Sequence, residues 1–174
     1  PLIAAAFNGD ARIVKALLAA GAEPDVRDTT GKGPVIYAAG RGFKRIVTMM
    51  LEAGLGPDAV YGNNLTGLMW AAGHSNDVPE SDGLDTVELF LARNVEINGV
   101  DDRGRTAHMI AAERGHAQLG TRLLAAGAKV QQRDRDGKTA LDLGATSAVR
   151  KALSARRKRI VPPVPTKLSD VQIG

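Results

Sequence analysis

The sequence predicts an all-α protein with short β-hairpin or turn fingers, in which pairs of helices stack into a solenoid. The first observation is a period: similar blocks begin at Pro1, Pro34, Gly67, Ala107 and Ala140, and three of the four intervals are 33 residues long. The second is that aromatic residues make up only 3% of the chain, too few for a conventional large core. Stacked helix pairs need only a thin continuous core, and a fixed period of this length is typical of them.

Composition narrows the class of protein further. The 174 residues are 44% apolar and 24% charged, as in a soluble globular protein, and no apolar run approaches membrane-spanning length. The absence of cysteine excludes disulfides, thiolate metal sites and a cysteine nucleophile. The chain opens without methionine, as expected of a fragment, a trimmed chain or a mature chain that has lost a targeting segment. None of these features predicts a compartment.

Each unit should begin with a short helix that carries two adjacent alanines. Small side chains let neighbouring helices approach closely, whereas large ones at these positions would overpack the core. The pairs are Ala5/Ala6, Ala38/Ala39, Ala71/Ala72 and Ala111/Ala112.

The second helix of each unit should present one apolar stripe to the core, because its apolar residues recur at helical spacing. The stripes are Ile13, Val14, Leu17 and Leu18; Ile46, Val47, Met50 and Leu51; Val87, Phe90 and Leu91; Leu119, Leu123 and Leu124. These helices are expected to stop at residues that adopt the left-handed backbone conformation easily, namely Gly21, Gly54, Asn94 and Gly127. The last second helix should be short, with only Val149 and Leu153 in its stripe.

Turn sequences with Gly or Asn at the tight position separate the units: "DTTGK", "YGNNL", "DDRGR" and "DRDGK". They divide residues 1–153 into units of about 1–27, 28–60, 61–100, 101–133 and 134–153. The third unit has seven extra residues, an insertion within 74–82 between its two helices. Residues 154–174 form a basic, proline-containing tail.

The units resemble the ankyrin repeat, whose signature Gly-x-Thr-Pro-Leu-His is followed by two alanines, Gly-His, an apolar pair and Gly-Ala. The nearest copy of this signature is "GRTAHMIAAERGHAQLGTRLLAAGA", residues 104–128. The resemblance extends from residue 1 to about residue 153. It implies a solenoid whose fingers and first helices form a concave groove that binds another protein.

The resemblance also implies which residues such a groove would display. They are Asn8, Arg41, His74 and Arg114 from the helices, with Glu113 alongside Arg114, and Tyr61, Leu65, Arg103 and Arg105 from the fingers. Tyr61 and Leu65 occupy finger positions that are charged in other units, which leaves partner contact and local hairpin packing open. Trp70 is the single tryptophan, and the other units also have an apolar residue at its position, so we expect it to pack between repeats. We keep it as a candidate binding anchor as well.

Motifs for catalysis or cofactor binding are absent from the sequence, including the nucleophile elbow, the phosphate-binding loop and the dinucleotide fingerprint. His74, His108 and His116 have no second histidine or cysteine at ligand spacing, which argues against a zinc site. His108 stands where the motif has a buried leucine, so we expect a packed, hydrogen-bonded histidine rather than a pH switch. We therefore predict no enzyme activity, no metal and no cofactor.

The inserted loop is acidic, because no Lys or Arg lies between His74 and Ala92. One interpretation is structural: Ser81 or Asp82 caps the second helix and acidic residues favour its N-terminus. Another is that the loop extends the binding surface, with Asp77, Glu80 and Asp82 as site residues. Calcium binding is disfavoured because the spacing does not match an EF-hand loop. The first two interpretations stay open.

The tail carries the net charge of +4, since residues 1–153 contain 18 basic and 18 acidic residues. We therefore expect no nucleic acid on the repeat body. The candidate contact residues of the tail are Arg156, Arg157, Arg159, Pro162 and Pro165. The spacing of Arg159 and the prolines suits a polyproline groove, and the basic residues suit an acidic surface. We expect the tail to lie against the repeats or on another chain.

The function predicted from the sequence is that of a non-catalytic module for protein–protein interaction, a scaffold that binds a partner protein in the groove. The alternative is an accessory or regulatory subunit of a larger enzyme complex, anchored by the tail. A third possibility is electrostatic docking of the tail to nucleic acid or a membrane.

Overall fold

The computed structural model describes residues 1–144 and 147–160. Five helix pairs follow one another along this part of the chain. They are α1 (Leu2–Asn8) and α2 (Ala11–Ala19), α3 (Pro34–Gly40) and α4 (Lys44–Glu52), α5 (Gly67–Ala72) and α6 (Glu80–Leu91), α7 (Ala107–Arg114) and α8 (Ala117–Ala125), and α9 (Ala140–Leu143) and α10 (Ser147–Ile160). First helices pack against first helices and second helices against second helices, so the predicted solenoid is confirmed.

The alanine pairs lie at the centre of the stack. All of the predicted pairs are buried, which brings the first helices of successive units into direct contact. The second helices bury the larger side chains, among them Met50, Phe90 and Leu123. Ile13 is the exception: it is 51% exposed, because α2 packs against the second helix α4 on one side and no other second helix of the described residues covers its opposite side.

The predicted helix stops are confirmed by backbone angles. Gly21, Gly54 and Gly127 have φ values of 85°, 97° and 107°, and Asn94 has a φ of 54°. An asparagine tolerates the left-handed conformation better than most side chains. Asn94 therefore follows the second helix of the third unit as glycine follows the other second helices.

Three of the fingers share one hydrogen-bonding device. A carboxylate oxygen of Asp28, Asp101 or Asp134 accepts backbone N–H groups two and four residues further along the chain. Such Asx turns close the finger without help from other residues. Backbone bonds then join each finger to the next, for example from Arg135 N to Arg103 O at 2.9 Å.

The finger of the third unit is built differently, because Tyr61 stands where the other three fingers have an aspartate. Two short antiparallel strands, β1 (Val60–Tyr61) and β2 (Leu65–Thr66), pair Tyr61 with Leu65. Asn63 and Asn64 close this hairpin with φ values of 62° and 58°. The hairpin therefore depends on backbone pairing and left-handed asparagines where the other fingers depend on a carboxylate.

Two side chains link a finger to a first helix. The Tyr37 hydroxyl donates to Asp28 at 2.5 Å, and the Arg105 guanidinium donates to Glu113 on α7 at 2.5 Å. The pKa of Asp28 is lowered chiefly by the Tyr37 hydrogen bond. Thr66, Thr106 and Thr139 cap the first helices that follow them, each accepting a backbone N–H three residues on.

The inserted loop and the C-terminal helix differ from the sequence-based expectation. α6 begins at Glu80 after Pro79, without a side-chain cap, so the predicted caps Ser81 and Asp82 lie inside the first turn. α10 continues to Ile160 and so passes the predicted boundary at residue 153. No helix of the described residues is long and apolar enough to span a bilayer.

Candidate functional site

A pocket of about 110 Å³ lies between the third and fourth units, where α5, α7 and two fingers meet. Its lining includes five of the residues predicted for the groove: Leu65, Trp70, Arg103, Glu113 and Arg114. Its remaining lining residues, Met69, Gly73 and Ile110, were not predicted. Apolar side chains thus form the walls, and charged groups lie at the rim.

Two glycines give this part of the groove its shape. A Cβ at Gly73 would lie 2.6 Å from Cγ2 of Ile110, and one at Gly40 would lie 3.1 Å from Cε3 of Trp70. The fourth unit has Glu113 at the same position, immediately after its alanine pair. A glycine after the pair therefore marks where a side chain of the next unit packs directly against the first helix.

An aromatic row with interleaved cations continues from the pocket towards the first unit. Lys32 Nζ lies 5.3 Å from the ring centroid of Trp70 and 5.9 Å from that of Tyr37. Phe7 meets Tyr37 edge to face at 5.6 Å, and the Arg41 guanidinium lies 4.7 Å over Phe7. Lys32 and Phe7 were not predicted as site residues. We call this row and the pocket together the groove.

Arg105 does not belong to the displayed surface. Its side chain is 11% exposed and donates through Nε to Asp134 at 3.2 Å and through Nη1 to Glu113. Burial opposes its charge, but the two carboxylates more than compensate and raise the pKa of Arg105. The predicted partner contact is wrong for this residue, which joins the finger of the fourth unit to α7 and to the finger of the fifth unit. Arg103, by contrast, is exposed.

Tyr61 is buried as well, with 3% of its surface exposed. Its ring lies against Gly33, where a Cβ would be 2.6 Å from Cε1, and under the Arg27 guanidinium at 4.7 Å. Burial raises the pKa of the hydroxyl. Local hairpin packing is thus the correct alternative for Tyr61, whereas Leu65 is half-buried and lines the pocket.

His74 turns inward and is 1% exposed, which corrects its placement in the groove. Its ring stacks on that of His116 with centroids 4.0 Å apart, and its Nδ1 lies 2.8 Å from the Ser75 carbonyl oxygen. Arg114 is followed by Gly115 with a φ of 88°, but His74 is followed by the inserted loop. The chain therefore leaves α5 along a different path and directs this side chain into the core.

Gly83 in α6 provides the space for His74. We expect Gly83→Ala to lower the free energy of unfolding by about 1–3 kcal/mol, because a Cβ there would overlap Cδ2 and Nε2 of the His74 ring. Alanine otherwise favours a helix interior by about 1 kcal/mol over glycine. Urea denaturation of Gly83→Ala in the wild-type and His74→Ala backgrounds checks this, since the substitution should be neutral or stabilising in the second. An equal loss in both backgrounds would contradict the inward placement.

The acids of the inserted loop separate into one structural residue and two exposed ones. The Glu80 carboxylate accepts the backbone N–H of Gln118 at 2.9 Å, at the start of α8. Asp77 and Asp82 are exposed. A backbone hydrogen bond of 3.1 Å from Ser75 N to Gly40 O joins the loop to the second unit. Glu80 therefore ties neighbouring units together, and a role of the other two in binding stays a prediction.

The predicted tail contacts have a limited structural account. Arg156, Arg157 and Arg159 fall on the last part of α10, and Pro162 and Pro165 lie outside the described residues. Within the described part of the chain, no group of three or more His, Asp or Glu side chains could hold a metal ion.

The comparison with known families agrees with this architecture. A family model described as ankyrin repeats in three copies matches residues 2–80 and again residues 78–155. The two matches meet inside the inserted loop and together cover most of the chain. No curated protein matches the sequence.

Proposed function

Since the chain belongs to the ankyrin repeat family, whose repeats are generally protein–protein interaction modules, we propose that it binds a partner protein in the groove. The observation that carries this proposal is the pocket between the third and fourth units. There Trp70, Leu65 and Ile110 form apolar walls beside the arginines of the rim. Tryptophan and arginine are the residues that most often carry binding energy at interfaces.

The proposed role is that of a scaffold without catalytic activity of its own. Members of the family are typically non-catalytic, and the carboxylates at the pocket are engaged with arginines. Arg103 pairs with Asp101 at 2.8 Å and lies 3.8 Å from Glu113. A general acid or base would need a titratable group free to exchange a proton with a bound substrate.

Affinity capture from the native source tests the proposal. We expect wild-type protein to retain a partner that the double variant Arg103→Ala/Arg114→Ala does not, because these side chains form the rim of the pocket. The matched control, Arg12→Ala/Arg45→Ala, removes the same charge from the exposed faces of α2 and α4 and should retain the partner. Tyr61→Ala is unsuitable, since that side chain is part of the core.

A truncated chain extends the same experiment to the tail. The cut belongs after Ile160, because ending the chain at residue 153 would divide α10. Retention of the partner by residues 1–160 supports groove binding. Capture that needs residues 161–174 and survives the double variant would instead favour an accessory subunit anchored by the tail, and would overturn groove binding.

A further inference from the structure

The groove has positive charges that form no close ion pair with a described carboxylate. Lys32, Arg41 and Arg114 form no ion pair with any described residue. Arg114 lies at the rim of the pocket, and Lys32 and Arg41 lie over the aromatic row. The repeat body as a whole has balanced charge, so this surplus is local to the groove.

The acids of the groove cannot offset these cations, because each is already engaged. Asp28 accepts hydrogen bonds from Tyr37, Thr30 and the Lys32 backbone. Asp101 accepts from Arg103, and Glu113 accepts from Arg105. A ligand therefore meets a row of cations that have no ion-pair partner among the described residues. The exposed Asp77 of the inserted loop has its pKa lowered chiefly by Ser75 and to a smaller extent by Arg41, but it forms no ion pair with Arg41.

The pocket adds an apolar requirement to this charge. Leu65, Met69, Trp70 and Ile110 line it, and its volume of about 110 Å³ is close to that of one aliphatic side chain. The pocket is too small for a helix or a hairpin. It suits a single side chain that projects from a segment lying along the groove.

We propose, on the basis of the groove binding argued above, that the partner is an acidic protein segment with one large apolar side chain that enters the pocket. Asp or Glu residues on both sides of that side chain would meet Arg114 on one side and Lys32 and Arg41 on the other. Such charge complementarity selects partners and speeds their association. The chain's own tail is excluded as the occupant by its charge, since residues 156–159 are all basic.

Single-stranded nucleic acid fits the groove less well than an acidic protein segment. Bases bind such proteins by stacking on open aromatic faces. Here Lys32 covers a face of Trp70, Arg41 covers a face of Phe7, and the α3 backbone at Gly40 packs against the Trp70 ring.

Selection of peptides from a random phage-displayed library on the full chain tests the proposal. We expect enrichment of peptides with Asp or Glu on both sides of one Leu, Ile or Met. A selected peptide, labelled and measured by fluorescence anisotropy, should bind Arg114→Glu about tenfold more weakly, and so should the peptide with its apolar residue changed to alanine. Binding should also weaken as NaCl rises from about 50 to about 300 mM.

Arg45→Glu is the matched control, because it makes the same charge change on an exposed residue of α4, outside the groove. It should leave the affinity for the peptide unchanged. Lys32→Glu is a second groove variant in case Arg114→Glu does not fold, as judged by circular dichroism.

The possible contrary results separate this inference from the proposed function. Selected peptides that are neutral or basic, yet lose affinity on Arg114→Glu, would overturn the acidic partner and leave groove binding intact. Selected peptides that bind both groove variants as tightly as wild type, or the absence of any enriched peptide, would count against both. Binding of oligothymidylate that responds to Arg114→Glu, with no acidic peptide selected, would make nucleic acid the occupant.

Discussion

Replacing Arg105 by alanine should lower the free energy of unfolding by about 3–5 kcal/mol, the usual cost of removing one partner from a buried ion pair. The guanidinium lies between Glu113 on α7 and Asp134, whose side chain is only 1% exposed. Burial raises the pKa of Asp134, but the Lys138 backbone and Arg105 outweigh it, and the pKa is lowered overall. Without the arginine, a buried carboxylate would keep its desolvation cost and lose its counter-charge.

Arg103→Ala is the control that separates the effect of burying the arginine side chain from the effect of its charge. Arg103 also binds a carboxylate, that of Asp101, but its side chain is 54% exposed. The Asp101 side chain is only 2% exposed, but the guanidinium that it binds faces solvent, so water can take the place of Arg103. We therefore expect a loss of at most about 1 kcal/mol for this variant. Similar losses in the two variants would show that Arg105 contributes through its charge alone and not through its buried position.

The region of the protein that Arg105→Ala destabilises should be detectable, as well as the size of the loss in unfolding free energy. The stability of a stacked array is close to a sum over its units and their interfaces. Arg105 links the finger of the fourth unit to the finger of the fifth unit. Trp70, the single tryptophan, reports on the third unit. In urea, Arg105→Ala should therefore lose helical circular dichroism before tryptophan fluorescence changes, whereas the two transitions should coincide more closely in Arg103→Ala.

The repeat period predicted the fold because every unit satisfies the same local requirements. Paired alanines allow close helix packing, and a residue that tolerates positive φ ends each second helix. Asn94 illustrates the strength of this inference, since it fixed the register of the longer unit and has a φ of 54°. The extension of α10 to Ile160 was missed because the expectation placed the end of the helix where the apolar stripe ends.

The site was harder to predict, because position in the repeat does not fix the direction of a side chain. Arg41 and His74 occupy the same position in their units, yet Arg41 is exposed and His74 is buried. The extra residues after His74 change the path of the chain, and Gly83 offers a space that only the folded structure reveals. Arg105 was misplaced for a related reason: its partners lie eight and 29 residues away along the chain.

Acid should destabilise the protein through His108. This side chain is 2% exposed on α7, and no hydrogen bond to its Nδ1 is present among the described residues. The sequence predicted a packed, hydrogen-bonded histidine, and the ring is packed and has a backbone hydrogen bond with Gly120. Burial lowers the pKa of His108 from 6.5 to about 4. The neutral ring therefore belongs to the native state, and the unfolded chain takes up a proton at a higher pH than the folded one.

The sign of the pH effect follows from this difference. As the pH falls from about 6.5 towards about 4, the unfolded state binds more protons and the free energy of unfolding decreases; below the folded-state value the loss stops growing. The shift corresponds to about 3 kcal/mol at most. Burial also lowers the pKa of His116, which adds a smaller loss in the same direction.

His108→Leu separates this contribution from every other titrating group. Leucine restores the apolar residue that the repeat motif has at this position, so the variant should be at least as stable as wild type at pH 7. Urea unfolding at pH 7 and near pH 4.5 should show a smaller acid-induced loss in the variant, with His116 and the carboxylates responsible for what is left. If both proteins lose the same free energy, His108 remains accessible to protons in the native state and its burial has no thermodynamic consequence.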